Sequence, residues 1–433
     1  MQTADRLAAV LDHLGIARAH FATQVPGDLA PFAATYPERI GGLVLCTPTR
    51  LDPAPFAALA PRLLMIAGET GLSAEATRRA QTRLPAARRR MLPGYAATGW
   101  SDVVAERTEE VILFLTGFLA TAPATEPATL PPLTASGSHA GLNYRISGAG
   151  PPLLLLPFFL APSQWEPARG ALGQHFTVIE IGGAHLGGVA ALEDRARAPS
   201  YQAMFRTLID LIAPAATDRI LDVGAGSGAL DRLLAARLGA AARIDAIDHN
   251  RFLLREAAQL ALPMRQRIRF CAASATALPF AEETFAAVFS VTVLEECDAE
   301  AAIAEMLRVA RPGARIGLVV RAIDMPQWWN LPLPPAIKAK AEIPPQSVGP
   351  GGVADASLYA RMRRAGLVDL TAFPMLITLD DPQGPIWRYR EDHVLSQLSA
   401  SETASWAAAR TAAADRGALL CAHVLHCAVA TKP

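Results

Sequence analysis

Residues 218–239 read DRILDVGAGSGALDRLLAARLG, and their reading decides the fold. Arg219–Val223 is a short, mostly apolar run that ends at glycine, the pattern of a buried strand. Gly224, Gly226 and Gly228 follow at every second position, with Ala225 and Ser227 between them. Glycine adopts left-handed backbone angles without a steric penalty and lets a ligand approach the main chain. From Ala229 the spacing becomes helical, so the turn aims backbone N–H groups outward from a helix N-terminus. A strand, a glycine turn and a helix in this order predict an open α/β sheet. Alone they do not choose a ligand, because dinucleotide-binding folds use a similar turn.

Three features narrow the choice. Asp222 directly precedes the turn, where a carboxylate suits a ligand carrying an ammonium group better than a pyrophosphate. The next strand, ARIDAIDHN (242–250), ends at Asp248, placed to accept from two ribose hydroxyls. Then IRFCAASATALPFAEETFAAVFSVTVLEE (268–296) and AEMLRVARPGARIGLVV (304–320) follow at the spacing of a third, fourth and fifth strand. This regular alternation predicts a parallel sheet covered by helices.

These segments resemble the class I S-adenosylmethionine-dependent methyltransferases that modify small molecules, the broad group of the ubiquinone and menaquinone methylases. DVGAGSG (222–228) matches that family's first motif, and ASATALPF (273–280) its adenine loop. FAAVFSVTVLEE (285–296) matches its fourth strand, and LRVARPGARI (307–316) the turn into its fifth. The resemblance implies a Rossmann-like α/β domain over 195–433, with a mostly parallel seven-stranded sheet whose last strand is antiparallel. It implies S-adenosyl-L-methionine as cofactor, with Asp222, Gly224, Ala225, Gly226 and Gly228 around its methionine end. Asp248 and His249 would hold the ribose, Ser274 and Ala275 the adenine, and Val291 and Thr292 the floor near the methyl group. Two positions depart from the family: Ser274 stands where Asp or Asn is usual, and Phe285-Ala286 where Phe-Asp is usual.

Methyl transfer from a sulfonium needs mainly in-line positioning, and a base only where the acceptor arrives protonated. Glu295, Glu296, His249, Asp324, Tyr359 and His393 are candidates. Glu295 and Asp324 lead, since each follows the carboxyl end of a central strand. His423 and His426, three apart on the expected last strand, face opposite sides and do not share a metal; no metal site is expected. Between 322 and 367, Pro326 and the proline-rich run exclude a continuous helix. Trp328, Trp329 and Tyr359 there are candidates for an apolar wall around a small hydrophobic acceptor, or for packing of the loop onto the core. Residues 383–416 are expected to form helices inserted before the last strand.

The front half carries different signals. HFATQVPGDLAPFAATYPERIGGLVL (20–45) and RLLMIAGE (62–69) resemble the nucleophile-elbow and acid-bearing strands of α/β-hydrolases. LPGYAATGWSDVVAERTEEVILFLTGFL (92–119) resembles that family's histidine loop and last helix, whereas 141–182 resembles its beginning. The resemblance therefore implies inverted halves, 1–120 and 139–194, separated by a Pro/Ala/Thr-rich linker at 121–138, as in a circular permutation. The triad is not there. Val25 stands at the nucleophile position, Thr70-Gly71 follow where the acid belongs, Ala97-Thr98 replace Gly-His, and Pro157-Phe158 replace the oxyanion-hole pair. An inactive hydrolase-like module remains, serving stabilisation, homodimer formation or an extra wall for the acceptor.

Composition limits the partners. The 433 residues hold 40 Lys+Arg and 40 Asp+Glu, whereas nucleic-acid binders carry a basic excess. Arg88–Arg90, the densest basic run, reads as a solvated strand edge or loop. Five scattered cysteines without CxxC spacing fit a reduced cytoplasm. The N-terminus lacks a signal-peptide layout, and Leu153–Leu160 is too short to span a bilayer, so no membrane is expected. Three further readings stay open at this point: a protein that binds the cofactor without methylating, a hydrolase with an unrecognised nucleophile, and a non-catalytic assembly partner.

Overall fold

The computed structural model describes residues 2–97, 102–122, 136–158, 162–382 and 384–433. The chain divides into two compact units, Met1–Ala190 and Ala191–Pro433. Most of the expected linker, and Thr98 of the hydrolase comparison, lie outside the described residues.

In the first unit the described strands are β1 (Ala19–Thr23), β2 (Ile40–Cys46), β3 (Leu63–Thr70), β4 (Arg88–Ala97), β5 (Ser136–His139), β6 (Leu142–Gly148), β7 (Pro152–Leu155) and β8 (Thr177–Gly182). They form one sheet in the order β4-β3-β2-β1-β7-β8-β6-β5. All neighbours are parallel except β6, which runs antiparallel to both β8 and β5. Period-2 alternation buries both faces. Phe21, Leu43, Leu45 and Leu154 pack beneath the helices Thr3–His13 and Pro26–Thr35. Ala22, Val44, Cys46 and Leu155 pack beneath Thr108–Leu119 and Glu166–Leu172. The arginine run 88–90 begins edge strand β4.

In the second unit the strands are β9 (Arg219–Val223), β10 (Arg243–Asp248), β11 (Ile268–Ala272), β12 (Phe285–Val291), β13 (Ala310–Arg321), β14 (Trp328–Trp329), β15 (Val368–Ala372), β16 (Met375–Leu379) and β17 (Cys421–Thr431). β11-β10-β9-β12-β13 are parallel neighbours, and β17 lies antiparallel beside β13. The expectation of a mostly parallel Rossmann-like sheet with an antiparallel last strand holds, but the strand count differs from seven. β14 continues the line of β13 along β17, and β15 and β16 together form β17's other neighbour. Proline explains both breaks: Pro374 between β15 and β16, and Pro326 before β14, offer no N–H to a ladder. Seven lines of strand are thus built from nine pieces among the described residues.

Helices Ala299–Val309 and Ser357–Arg364 cover one face, packing on Leu221, Val223, Val288, Ile316 and Leu318. Helix Pro199–Ile212 covers the other, on Ile220, Phe289, Val319 and Val429. The helices Pro385–Leu395 and Ala400–Asp415 enter before β17, the second opened by a Ser399/Glu402 capping box. They belong to a separate cluster built on Trp329, Trp387 and Trp406. Among the described residues no helix is long and apolar enough to cross a membrane.

Candidate functional site

The chain leaves β9 for β10 on one side and returns to β12 on the other. The strand order therefore reverses next to β9, which is where open α/β sheets bind ligands. The glycine turn sits there. Gly224, Gly226 and Gly228 have φ of 92°, 55° and 69°, a region that L side chains avoid. The turn is tied down by Gly224 N and Ala225 N, which donate to Ile247 O at 2.7 and 2.8 Å. Asp248, at the end of β10, accepts from Gly226 N at 2.9 Å and from Asn250 N at 2.8 Å. It is thereby fixed opposite the turn, and His249 points to solvent.

The glycines have a second reason to be glycines. A Cβ on Gly224 would overlap the Val293 side chain, one on Gly226 would meet Leu192 Cδ1 at 3.0 Å, and one on Gly228 would meet Phe270 Cζ at 2.9 Å. Read from the sequence, all three serve to adopt left-handed angles and to let a ligand approach. Their Cβ directions are filled by the protein's own side chains, and the N–H groups of Gly224, Ala225, Gly226 and Gly228 are bonded within the chain.

Behind the turn lies a buried polar cluster. The side chain of Asp222 is 3% exposed, and it faces Asp231, which is fully buried in the first turn of helix Ala229–Leu238. Neither oxygen of Asp231 has a donor among the described residues. A proton shared between the two carboxyls relieves the pair. Burial, then repulsion from Asp231, pushes Asp222 well above the carboxylate range, and burial pushes Asp231 up to about 7. Glu295 follows β12 and accepts from Arg321 N at 2.7 Å through Oε1. Its Oε2 is buried without a partner, and burial raises it to about 7.

The helix Gly187–Arg197 carries the remaining members. Arg195 donates to Thr292 Oγ1 at 3.0 Å and stacks over the Tyr201 ring at 5.0 Å, while its Nε and the Tyr201 hydroxyl are buried without partners. The charges of Arg195, Asp222 and Glu295 all act on that hydroxyl. Glu193 clamps the segment by accepting from Ser227 Oγ at 2.6 Å and from both bonds of Arg232 Nη2. Thr292 is held at φ 57°, with Val291 buried beneath it.

Glu295 with one oxygen unbonded, Asp222 pressed against Asp231 and Arg195 with its Nε unbonded are the complement of a zwitterion. The ammonium of an amino acid would meet Asp222, and its carboxylate Arg195. S-adenosylmethionine ends in such a group and carries a ribose for Asp248, so the residues present fit it. Sequence reasoning missed Arg195, Tyr201 and Asp231. The only signal for Asp231 was its position in the turn's helix.

The other expected residues are dispersed. Ser274 is exposed and bonded to Thr276, and Ala275 is half-buried beside it. Glu296 is exposed near Arg321, and His393 contacts Gln397 on the inserted helix. Asp324 and Tyr359 are joined by a residue not expected to act with them: His426 bridges Asp324 Oδ1 at 2.8 Å and the Tyr359 hydroxyl at 2.9 Å. His423 lies elsewhere, beside Arg390. The two tryptophans separate. Trp328 is exposed, whereas Trp329 is buried, edge-on to Trp387 and Trp406, with its Nε1 donating to Ala341 O at 3.1 Å. Trp329 thus packs the loop onto the core and offers no wall to an acceptor. In the first unit, Val25 occupies the turn after β1 at φ −103°, without the left-handed strain of a nucleophile elbow.

Residues 220–313 match the family model described as a methyltransferase domain. The chain is 37% identical over 106 residues to the demethylmenaquinone methyltransferase of Clavibacter sepedonicus, covering 24% of this chain and 42% of that protein. It is 34% identical over 121 residues to an uncharacterized methyltransferase of Mycobacterium tuberculosis, covering 28% and 47%. The chain thus spans less than half the length of these relatives. Among solved structures, a methyltransferase from Bacillus halodurans C-125 has a TM-score of 0.37 at 14% identity, over 53% of this chain and 99% of that one. Geranyl diphosphate C-methyltransferase from Streptomyces coelicolor A3(2) has a TM-score of 0.33 at 17% identity, over 54% and 79%.

Proposed function

We propose that this chain, whose second unit carries a class I S-adenosylmethionine-dependent methyltransferase domain, transfers the cofactor's methyl group to a small, largely apolar acceptor. The observation that carries this reading is the left-handed glycine turn at the strand-order reversal, faced by Asp248 and backed by the buried cluster of Asp222, Glu295, Arg195 and Tyr201, the last three of which each keep one buried polar atom without a bond. When bound, the sulfonium supplies an activated methyl group. The chain's part is to grip the amino-acid end, fix the ribose through Asp248 and exclude water. Positioning of this kind lowers barriers by roughly 7–11 kcal/mol in well-oriented systems. Glu295, poised near neutrality by its burial, is the group to accept a proton from an acceptor that needs deprotonation. The balanced charge of the chain supports small molecules as substrates rather than nucleic acids.

The first unit is read as an inactive α/β-hydrolase-like module, permuted about the break between β4 and β5. Counted from β5 as strand one, its sheet runs 1-2-4-3-5-6-7-8 with strand two antiparallel. That order supports the resemblance of both halves to one hydrolase domain. Val25 at the elbow supports inactivity.

Calorimetric titration with S-adenosylhomocysteine, together with labelled S-adenosylmethionine and a metabolite mixture, tests the reading. Gly226→Val and Asp248→Ala should each weaken binding tenfold or more, the glycine change more severely. Unchanged affinity in both, in folded protein, would remove the cofactor assignment.

A further inference from the structure

Arg390 is 6% exposed, yet no carboxylate of a described residue lies within ion-pair distance. Its Nη1 donates to the neutral Gln327 Oε1 at 3.0 Å, and its Nε is buried with no partner. Gln327 has no freedom to do otherwise: its Nε2 donates to Ala341 O at 2.8 Å, so its oxygen is turned toward Arg390. The nearby acid, Glu391, is already taken by Arg410 and by the indoles of Trp387 and Trp406. A buried guanidinium without a counter-charge is costly, and burial with the nearby Arg321 pulls this one down to about 10.

Arg390 lines a cleft at the carboxyl end of β13, where Arg321, His423, Met325, Pro344 and Tyr389 also meet. His423 is 7% exposed and its Nδ1 has no partner. Arg390, without a counter-charge among the described residues, and His423 therefore line one small space with an apolar rim beside them, while the guanidinium of Arg321 is already held by Glu295, Glu296 and Ser347 O. The enclosed part holds about 20 Å³, on a scale where one water needs roughly 10–15 Å³. A single small group fits there; a whole substrate does not. Arg321 also donates its backbone N–H to Glu295, so the cleft adjoins the loop that carries the proposed base.

We infer that this cleft is an oxyanion site that receives the carboxylate or phosphate end of an apolar acceptor, with Arg390 as its principal ligand. The planar guanidinium pairs such groups through two parallel bonds, and the Nε edge is the one Gln327 leaves open. The inference rests on the methyl-transfer reading for the word acceptor, but the site itself does not.

The full chain is titrated calorimetrically with sodium benzoate, sodium phenyl phosphate and, as neutral control, benzamide, at constant ionic strength; S-adenosylhomocysteine is titrated in parallel. At least one anion should bind in the millimolar range or tighter, and benzamide at least tenfold more weakly. Whichever anion binds tighter names the headgroup. Arg390→Met should lose the anion tenfold or more while keeping S-adenosylhomocysteine affinity within twofold, and Arg390→Lys should recover part of it. Met325→Asp, which leaves Arg390 in place and brings a competing carboxylate to the exposed rim, should also abolish anion binding, and it stands in should Arg390→Met not fold. Equal binding of benzoate, phenyl phosphate and benzamide, anion binding that survives both substitutions, or no anion binding by the wild type up to about 10 mM overturns the inference. Anion binding that depends on Arg390 in a chain that ignores S-adenosylhomocysteine would instead overturn the methyl-transfer reading and leave the site standing.

Discussion

Replacing Asp231 by Asn should stabilise the protein at alkaline pH and leave it nearly unchanged in acid. Asp231 faces Asp222 with no donor at either oxygen and no exposure to water. Burial lifts its carboxyl from the ordinary 3.8 to about 7. At about 1.4 kcal/mol per tenfold change in proton affinity, the difference amounts to at most about 4 kcal/mol. The sign follows from linkage. The folded state holds this proton more tightly than the unfolded chain, so the associated stability is fully present below pH 3.8 and is lost as pH rises to about 7. Asparagine keeps the shape, carries no charge and offers an N–H to Asp222, so the loss disappears. At pH 8 the variant should gain about 2–4 kcal/mol, which for a unit of this size is roughly 4–16 °C in Tm. At pH 4.5 the gain should fall below about 1 kcal/mol. Calorimetric or fluorescence melts of both proteins at the two pH values decide it, and comparing the variant's gain between them cancels the titrating groups that do not interact with Asp231. A gain equal at both pH values, or a variant less stable at pH 8, would refute the shared-proton account.

Glu295→Gln should flatten the pH dependence of cofactor binding: the wild type should bind S-adenosylhomocysteine more tightly as pH rises from 6 to 8, because Glu295 ionises near 7, and calorimetry at both ends reads the slope. Gly224→Ala should lower stability by more than the ordinary cost of a left-handed alanine, because its Cβ would also overlap Val293, and a urea melt should show a loss of about 2 kcal/mol or more. Trp329→Ala should cost about 3–5 kcal/mol by emptying the centre of the tryptophan cluster, with cofactor affinity in the remaining folded protein unchanged. Tyr359→Phe should cost about 1 kcal/mol and alter kcat by less than threefold, since a hydroxyl that burial pushes up to about 12 does not ionise near neutrality.

Much of the second unit was legible because its signals are local. Alternation of apolar runs with helical spacing located β9 to β13, and the glycines marked a turn that needs left-handed φ. What was not legible depends on distant packing. An aspartate at position 231 looks like an ordinary first-turn acid, exposed and favourable to the helix dipole; only the fold shows it fully buried against Asp222 of the preceding strand. Arg390 and Gln327 are 63 residues apart, and only the fold brings them to 3.0 Å. The pair Trp328-Trp329 was ambiguous for a related reason: alternation along β14 sends one indole to solvent and the other into the core, and the sequence does not say which.

The glycine turn shows why a correct position can come with an incomplete reason. A missing Cβ is demanded equally by a ligand against the main chain and by a neighbouring side chain packed against it, and the sequence records only the demand. Here Val293, Leu192 and Phe270 fill the three Cβ directions, so the glycines set the shape of the turn, and its N–H groups tie it to Ile247 and Asp248. Leu192 is the informative neighbour. It belongs to the same helix as Glu193 and Arg195, which bind Ser227, Arg232 and Thr292. The turn is therefore shaped from outside the strand–turn–helix motif, by a segment some 30 residues earlier in the chain that no motif reading includes. Leu192→Ala should accordingly loosen the turn without touching a ligand atom, leaving a cavity of the kind that costs about 2–5 kcal/mol when fully buried and less at this half-buried position. If cofactor affinity then falls while Asp248 and the glycines stay intact, pre-organisation of the turn by this helix is part of the binding site; if it does not, the helix is packing alone.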